Sequence, residues 1–192
     1  MKYLVCLALL LSFCSTSYAA GQGVTIVSIA AGSYQVDDTE HHLTGSRTAI
    51  SLKYLYTKNW SWFSSLGSGS AQQIYLATDN RQYLLEANTT SLSGGVEYRK
   101  KLNKKGSIEP FVGLGLNAMS YQLDYTYPDS QVGQAKGTGF GPLFKLGSRF
   151  RLGKNFIIIP AYQYSSVSIQ TESGDTRNIV SSGVFLGLVA AF

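Results

Sequence analysis

The chain has 192 residues and a formal net charge of +5, with 14% charged residues, 12% aromatics, 20 glycines and 13 tyrosines. This length is in the single-domain range. Both cysteines, Cys6 and Cys14, fall near the N-terminus, which excludes a disulfide framework for the rest. The basic excess does not describe a nucleic-acid site either, because basic and aromatic residues are not interleaved on one face.

Lys2 precedes an apolar run over residues 3–13, and then come Ser15, Thr16, Ser17, Tyr18, Ala19 and Ala20. A positive start, a short apolar stretch and a small-residue site predict a secretory signal peptide. Cleavage after Ala19 puts Ser17 and Ala19 at the two small positions. A membrane anchor is the alternative, but the run is shorter than the roughly 20 residues a spanning helix needs. A lipoprotein acylated at Cys14 is a further alternative, opposed by bulky Phe13 where that processing wants a small residue. The expected organisation is a signal peptide over 1–19 and a single domain over 20–192.

Beyond the leader, turn signals recur near residues 38–46, 58–59, 79–81, 103–106, 126–137, 153–155 and 170–177. They separate eight strand candidates. The first is ambiguous, since Val24 and Ile26 compete with Val27 and Ile29 for the apolar face. In the second, Ile50, Leu52, Tyr54 and Tyr56 oppose Arg47, Ala49, Ser51 and Lys53. The third is ambiguous again: Trp60 and Trp62 compete with Phe63, and its middle is rich in Gly and Ser. In the fourth, Leu92, Val96 and Tyr98 oppose Ser91, Ser93, Glu97 and Arg99. In the fifth, Ile108, Val112, Leu114, Leu116 and Ala118 oppose Glu109, Gly113, Gly115 and Asn117. In the sixth, Phe140, Phe144, Leu146 and Phe150 oppose Gly141, Lys145, Gly147 and Arg149. The seventh sets Phe156, Ile158, Tyr162 and Tyr164 on one face, with Ile157 and Ile159 blurring the other. The eighth sets Val184, Leu186, Leu188, Ala190 and Phe192 against Gly183, Phe185, Gly187, Val189 and Ala191.

A soluble β-sandwich also alternates, but its inward set is apolar. Here the second set holds Lys53, Glu97, Glu109, Lys145 and Arg149, and the apolar set is rimmed by Tyr54, Tyr56, Trp60, Trp62, Tyr98, Phe150 and Phe192. An apolar outer band with aromatic girdles around a polar interior is the pattern of a transmembrane barrel. Closure satisfies every backbone group in lipid, because no edge remains. The expected fold is all-β: an eight-stranded antiparallel up-and-down transmembrane β-barrel.

Ile50-Ser51-Leu52-Lys53-Tyr54-Leu55-Tyr56 leading through Lys58-Asn59-Trp60, with Gly94-Gly95-Val96-Glu97-Tyr98-Arg99 and Phe111-Val112-Gly113-Leu114-Gly115, resembles the small eight-stranded outer-membrane barrels of the OmpX/Ail type. The resemblance implies the outer membrane of a Gram-negative bacterium. It also makes the last strand, with Val184, Leu186, Leu188, Ala190 and Phe192, similar to the signal read by the outer-membrane assembly machinery.

With both ends periplasmic, turns after even strands face the periplasm and are short. They and their flanks carry Lys58, Lys100, Lys101, Lys104, Lys105 and Lys154, with no acid. This placement suits anionic head groups. The opposite loops and strand tips carry Asp37, Asp38, Glu40, Asp79, Glu86, Asp124, Asp129, Glu172 and Asp175 against Arg47, Arg81, Lys136 and Arg177.

Eight strands leave an interior just wide enough for side chains, and charges there need partners. Glu97 and Glu109 bridged by Arg149 and Lys53, with Lys145 nearer mid-depth, form the expected lumen network. A structural plug is the favoured reading and a gated pore the other. The only histidines, His41 and His42, are adjacent in the first loop and point apart on an extended segment. No catalytic or metal site is therefore read there, and no cofactor is expected. Barrels that modify lipid A or phospholipids remain the enzymatic alternative.

Loops on a rigid scaffold are where recognition concentrates. The candidates are the first loop, with Asp37, Asp38, Glu40, His41 and His42, and the third, with Tyr127 and Asp129. The family resemblance implies adhesion, host-cell interaction and serum resistance, although these loops are short and net acidic, unlike the basic clusters of adhesive members. The expected role is surface interaction or envelope stabilisation, with a small-solute channel as the competing class. The expected partners are outer-membrane lipids and lipopolysaccharide, the assembly machinery and an extracellular or host ligand. No nucleic acid is expected, and the chain should be a monomer.

Overall fold

The computed structural model describes residues 24–38, 41–76, 82–102, 107–126, 132–152, 156–172 and 174–190. The expected signal peptide, Glu40, Tyr127, Asp129 and Phe192 lie outside them. Eight strands follow in order: β1 (Val24–Asp37), β2 (His42–Leu55), β3 (Trp60–Leu76), β4 (Gln82–Arg99), β5 (Ile108–Thr126), β6 (Val132–Leu152), β7 (Phe156–Thr171) and β8 (Thr176–Ala190). Each pairs antiparallel with its neighbour, and β1 pairs with β8, from Ile29 opposite Leu188 to Asp37 opposite Val180. The sheet closes as the alternation requires.

The end of the barrel holding the start of β1 and the end of β8 is called proximal here, and the opposite end distal. Around the proximal half the outer face is apolar. Ile29, Leu52, Trp62, Leu92, Leu114, Leu116, Leu146, Leu186 and Leu188 are all exposed there. Along β5 this outward set runs from Ile108 to Ala118, the span of about 9–11 residues that a tilted strand needs to cross a bilayer. Aromatics cluster at the proximal border, where Trp60 meets Tyr98 at 5.1 Å and Tyr56 meets Trp62 at 6.3 Å between ring centroids.

Past that band the barrel turns itself inside out. On β5 the outward residues become Ser120, Gln122 and Asp124, while Met119, Tyr121 and Leu123 turn inward and are buried. The same exchange occurs on most strands, although Ile74, Leu76 and Leu84 keep an exposed apolar patch at the distal ends of β3 and β4. Ser33, Gln35, Thr44, Ser46, Ser70, Asn88, Thr138 and Ser168 face outward. Tyr34, Val36, Leu43, Ala71, Leu85, Ala87, Val167, Ile169 and Ile179 form one packed cluster inside. The proximal half has a membrane protein's pattern, and the distal half has that of a soluble barrel.

This corrects the turn placement. The expected long loops over 38–46 and 126–137 are mostly strand. Asp37 pairs with His42, so the first connection is only residues 38–41. Thr126 pairs with Val132, and the ladder continues through Gln122 opposite Lys136. Hydroxyl and amide side chains face water on the outer wall of these paired strands, and that composition mimics a loop. The turns after even strands are not all short: β4 to β5, a proximal turn, is the longest connection, from Arg99 to Ile108. At the β7–β8 turn Gly174 adopts φ 88°, a left-handed conformation that glycine takes without steric cost.

Candidate functional site

Strand parity decides which side chains enter the lumen. The alternation that exposes Leu52 and Tyr54 sends Ser51 and Lys53 inward, and that of β4 sends Ser93 and Glu97 inward. Lys53 Nζ donates to Glu97 Oε2 at 2.6 Å, and Arg149 Nη2 donates to Glu97 Oε1 at 2.6 Å. Glu97 is fully buried. The Phe111 ring lies beside both cations, 4.6 Å from Lys53 Nζ and 5.9 Å from Arg149 Cζ.

The pairing of Glu109 differs from expectation. Arg149 is its direct cross-strand neighbour, yet the guanidinium reaches across the lumen to Glu97. Glu109 instead accepts from Arg99 Nη1 at 3.1 Å. Arg99 was read on the inward face but not as part of the network. The deeper, fully buried carboxylate draws both long cations, and the one nearer the proximal mouth takes the local arginine. Lys145 has no carboxylate within ion-pair distance among the described residues; its Nζ sits 4.3 Å from the Phe63 ring centroid.

Arg47, expected on the inward face of the second strand, is buried in the lumen, bonded to Ser91 Oγ and set over the rings of Tyr34 and Phe185. Its outward neighbours Ser46 and Thr48 are polar. Further bonds cross between strands. Asn117 Nδ2 donates to Ser165 Oγ at 3.1 Å, and Ser165 Oγ lies 2.8 Å from Ser181 Oγ. Thr89 Oγ1 donates to the Tyr34 hydroxyl at 3.1 Å. Beyond them lies the apolar cluster. Its side chains Leu43, Leu85, Leu123, Ile169 and Ile179 are fully buried.

At the distal rim the Asp38 side chain is buried. It accepts from the His41 backbone N–H at 2.7 Å, from Tyr121 OH at 3.4 Å, and lies 3.1 Å from His41 Nδ1. The His41 ring stands edge-on to Tyr75 and Tyr125. His42 is exposed and bonds Asp37. The two histidines face different surroundings, and among the described residues neither hydrogen-bonds a serine hydroxyl. Among the described residues no three His, Cys, Asp or Glu side chains converge as metal ligands do. On β8, Val184, Leu186 and Leu188 face outward into the apolar band; Ala190 ends the strand.

Residues 5–188 match the model of the outer membrane protein β-barrel domain. Three solved structures are similar in fold. Neisserial surface protein A shares 13% identity at a TM-score of 0.63, over 88% of this chain and 97% of that one. Ail, the attachment invasion locus protein of Yersinia pestis, solved in complex with the heparin analogue sucrose octasulfate, shares 16% identity at 0.56, over 90% and 100%. The outer membrane protein OprG of Pseudomonas aeruginosa shares 11% identity at 0.58, over 88% and 95%. No curated protein matches the chain.

Proposed function

The chain belongs to the outer membrane protein β-barrel domain family, and we propose that it serves the Gram-negative outer membrane as a closed, non-enzymatic barrel that acts through its surface. The observation that carries this reading is the apolar cluster across the distal lumen, with Leu43, Leu85, Leu123, Ile169 and Ile179 fully buried. Solute entering such a lumen would have to disrupt a close-packed core. The ion pairs beneath it act as a second tier of the plug.

In this reading the proximal end is periplasmic. Exposed Lys100 and Lys101 flank the longest turn there, placed to meet anionic head groups. Residues 1–19 are a cleaved signal peptide, and the C-terminal sequence from Val184 to Phe192 is the assembly signal. The distal half then rises beyond the hydrocarbon into the lipopolysaccharide layer. Its outer wall of Ser33, Gln35, Ser46, Ser70, Asn88 and Thr138 offers donors and acceptors of the kind that sugars use. A monomer anchored among lipopolysaccharide, presenting the 38–41 turn outward, fits an envelope-stabilising or surface-interaction role.

Ail holds a polyanion analogue, but the outward charges here are led by Asp37, Glu86, Asp124 and Asp175, with Lys136 opposing. The same polyanion is not the ligand this rim favours. An extracellular or host ligand would meet hydroxyls, amides and acids.

Single-channel recording of the refolded mature protein in a planar bilayer tests the closed state. Silence is expected. Reproducible unitary steps would overturn the reading in favour of a small-solute channel.

A further inference from the structure

Between the ion pairs and the Arg47 layer lies a cavity of about 60 Å³, room for several water-sized occupants. Its polar lining consists of Arg47, Lys53, Lys145, Gln163 and small hydroxyls including Ser51 and Ser65. No carboxylate lines it. Among the described residues the lumen below the apolar cluster places Arg47, Lys53, Arg99, Lys145 and Arg149 against only Glu97 and Glu109. Both carboxylates are in direct contact with the other three cations, which leaves neither Arg47 nor Lys145 with a carboxylate in ion-pair contact among the described residues.

The faces of Phe63, Tyr34 and Phe185 lie near these two cations and attract them through the ring quadrupole. They do not cancel charge. Surrounded by barrel wall and lipid, uncompensated cations are costly unless paired. One further observation points the same way. Gln163 is buried on β7 directly opposite Lys145, and its side-chain nitrogen has no hydrogen-bond partner. A buried donor without an acceptor needs an explanation. The charged side chains that line the cavity are thus all cations, set among the apolar walls of Phe111, Ile159 and Phe185.

We propose that this cavity is a binding site for a small monovalent anion of chloride size, held by Lys145, Arg47 and the Gln163 amide. The anion completes the lumen's charge balance and ties β2, β6 and β7 together. This site is independent of the surface role above.

The test uses bromide as probe. Crystals of the folded barrel grown from sodium bromide should show an anomalous peak in the cavity, within hydrogen-bond distance of Lys145 Nζ and the Gln163 amide. Peaks confined to the protein surface, with the cavity holding water alone, would overturn the site. In solution, the thermal midpoint in detergent should be about 2–4 °C higher in sodium chloride than in sodium gluconate at equal ionic strength, gluconate being too large to enter. Lys145→Met should lose that increment, whatever its own midpoint. Should Lys145→Met not fold, Gln163→Leu, which removes a donor without changing charge, should show a smaller increment than wild type. Equal midpoints in the two salts, or an increment unchanged in these variants, would refute the proposal.

Discussion

Lys53 and Glu97 meet at 2.6 Å although their strands, β2 and β4, are not neighbours in the sheet. The bond therefore crosses the lumen. Arg149 on β6 reaches the same carboxylate at 2.6 Å, so one acid ties three alternate strands together. Removing the negative charge leaves two cations buried beside each other. Glu97→Gln should cost about 3–5 kcal/mol in folding stability, read by denaturant titration in lipid vesicles. Glu109→Gln should cost less, since Glu109 has Arg99 alone as ion-pair partner among the described residues and sits nearer the mouth. Equal costs would contradict the shared role of Glu97.

The distal half makes a prediction of the opposite kind. Leu123 is fully buried within the apolar cluster, in a segment whose outer wall carries Gln122 and Asp124. Truncating it creates a cavity of the sort seen in soluble cores, so Leu123→Ala should cost about 2–5 kcal/mol. The same titration measures it. A negligible cost would mean that the distal core is loosely packed.

That inversion also explains what could and could not be read from the chain. Where lipid lies outside and charge inside, as with Ile50, Leu52 and Tyr54 against Lys53, the two faces differ in kind and the parity is legible. On β3 it was not, because Phe63 is buried in the lumen while Trp62 is exposed on the wall. An aromatic suits both places. On β1 the apolar face is now resolved, with Ile29 exposed and Ser28 buried. The distal strands were missed for a related reason. Thr44 and Ser46 face water on a paired strand, and hydroxyls bounded by Gly45 and an arginine look like a turn. The partner of Glu109 is set by which guanidinium reaches across the barrel, a three-dimensional matter that spacing along one strand does not contain.

The boundary between the two halves can be located by charge. Leu114 is outward and 60% exposed within the apolar band, and Gln122 is outward beyond it. Both lie on β5. Leu114→Arg places a guanidinium in hydrocarbon and should cost about 2–4 kcal/mol, whereas Gln122→Arg should cost about 0–1 kcal/mol, as depth dependence on a lipid-facing wall requires. Reversible folding into vesicles reads both. Similar costs at the two positions would mean that the bilayer extends over the distal half as well.

Glycines inside the wall offer a last test, because two on neighbouring strands look alike in sequence and differ in space. Gly95 on β4 pairs with Gly115 on β5. A Cβ on Gly95 would lie 2.2 Å from the Leu114 carbonyl oxygen and 2.6 Å from Gly115 Cα. Both are backbone atoms of the adjacent strand, and they can move only if the sheet opens. Glycine here permits the close approach that a tightly curved wall demands. At Gly113 the nearest atoms to an added Cβ are at 3.4 Å, one of them Lys145 Cβ, an ordinary contact. Gly95→Ala should therefore cost about 1–3 kcal/mol through backbone displacement, while Gly113→Ala should fold with near wild-type stability. Refolding yield and denaturant midpoint distinguish them. If Gly113→Ala proves the more damaging, the tight point of the wall lies on the Lys145 side of the barrel rather than between β4 and β5.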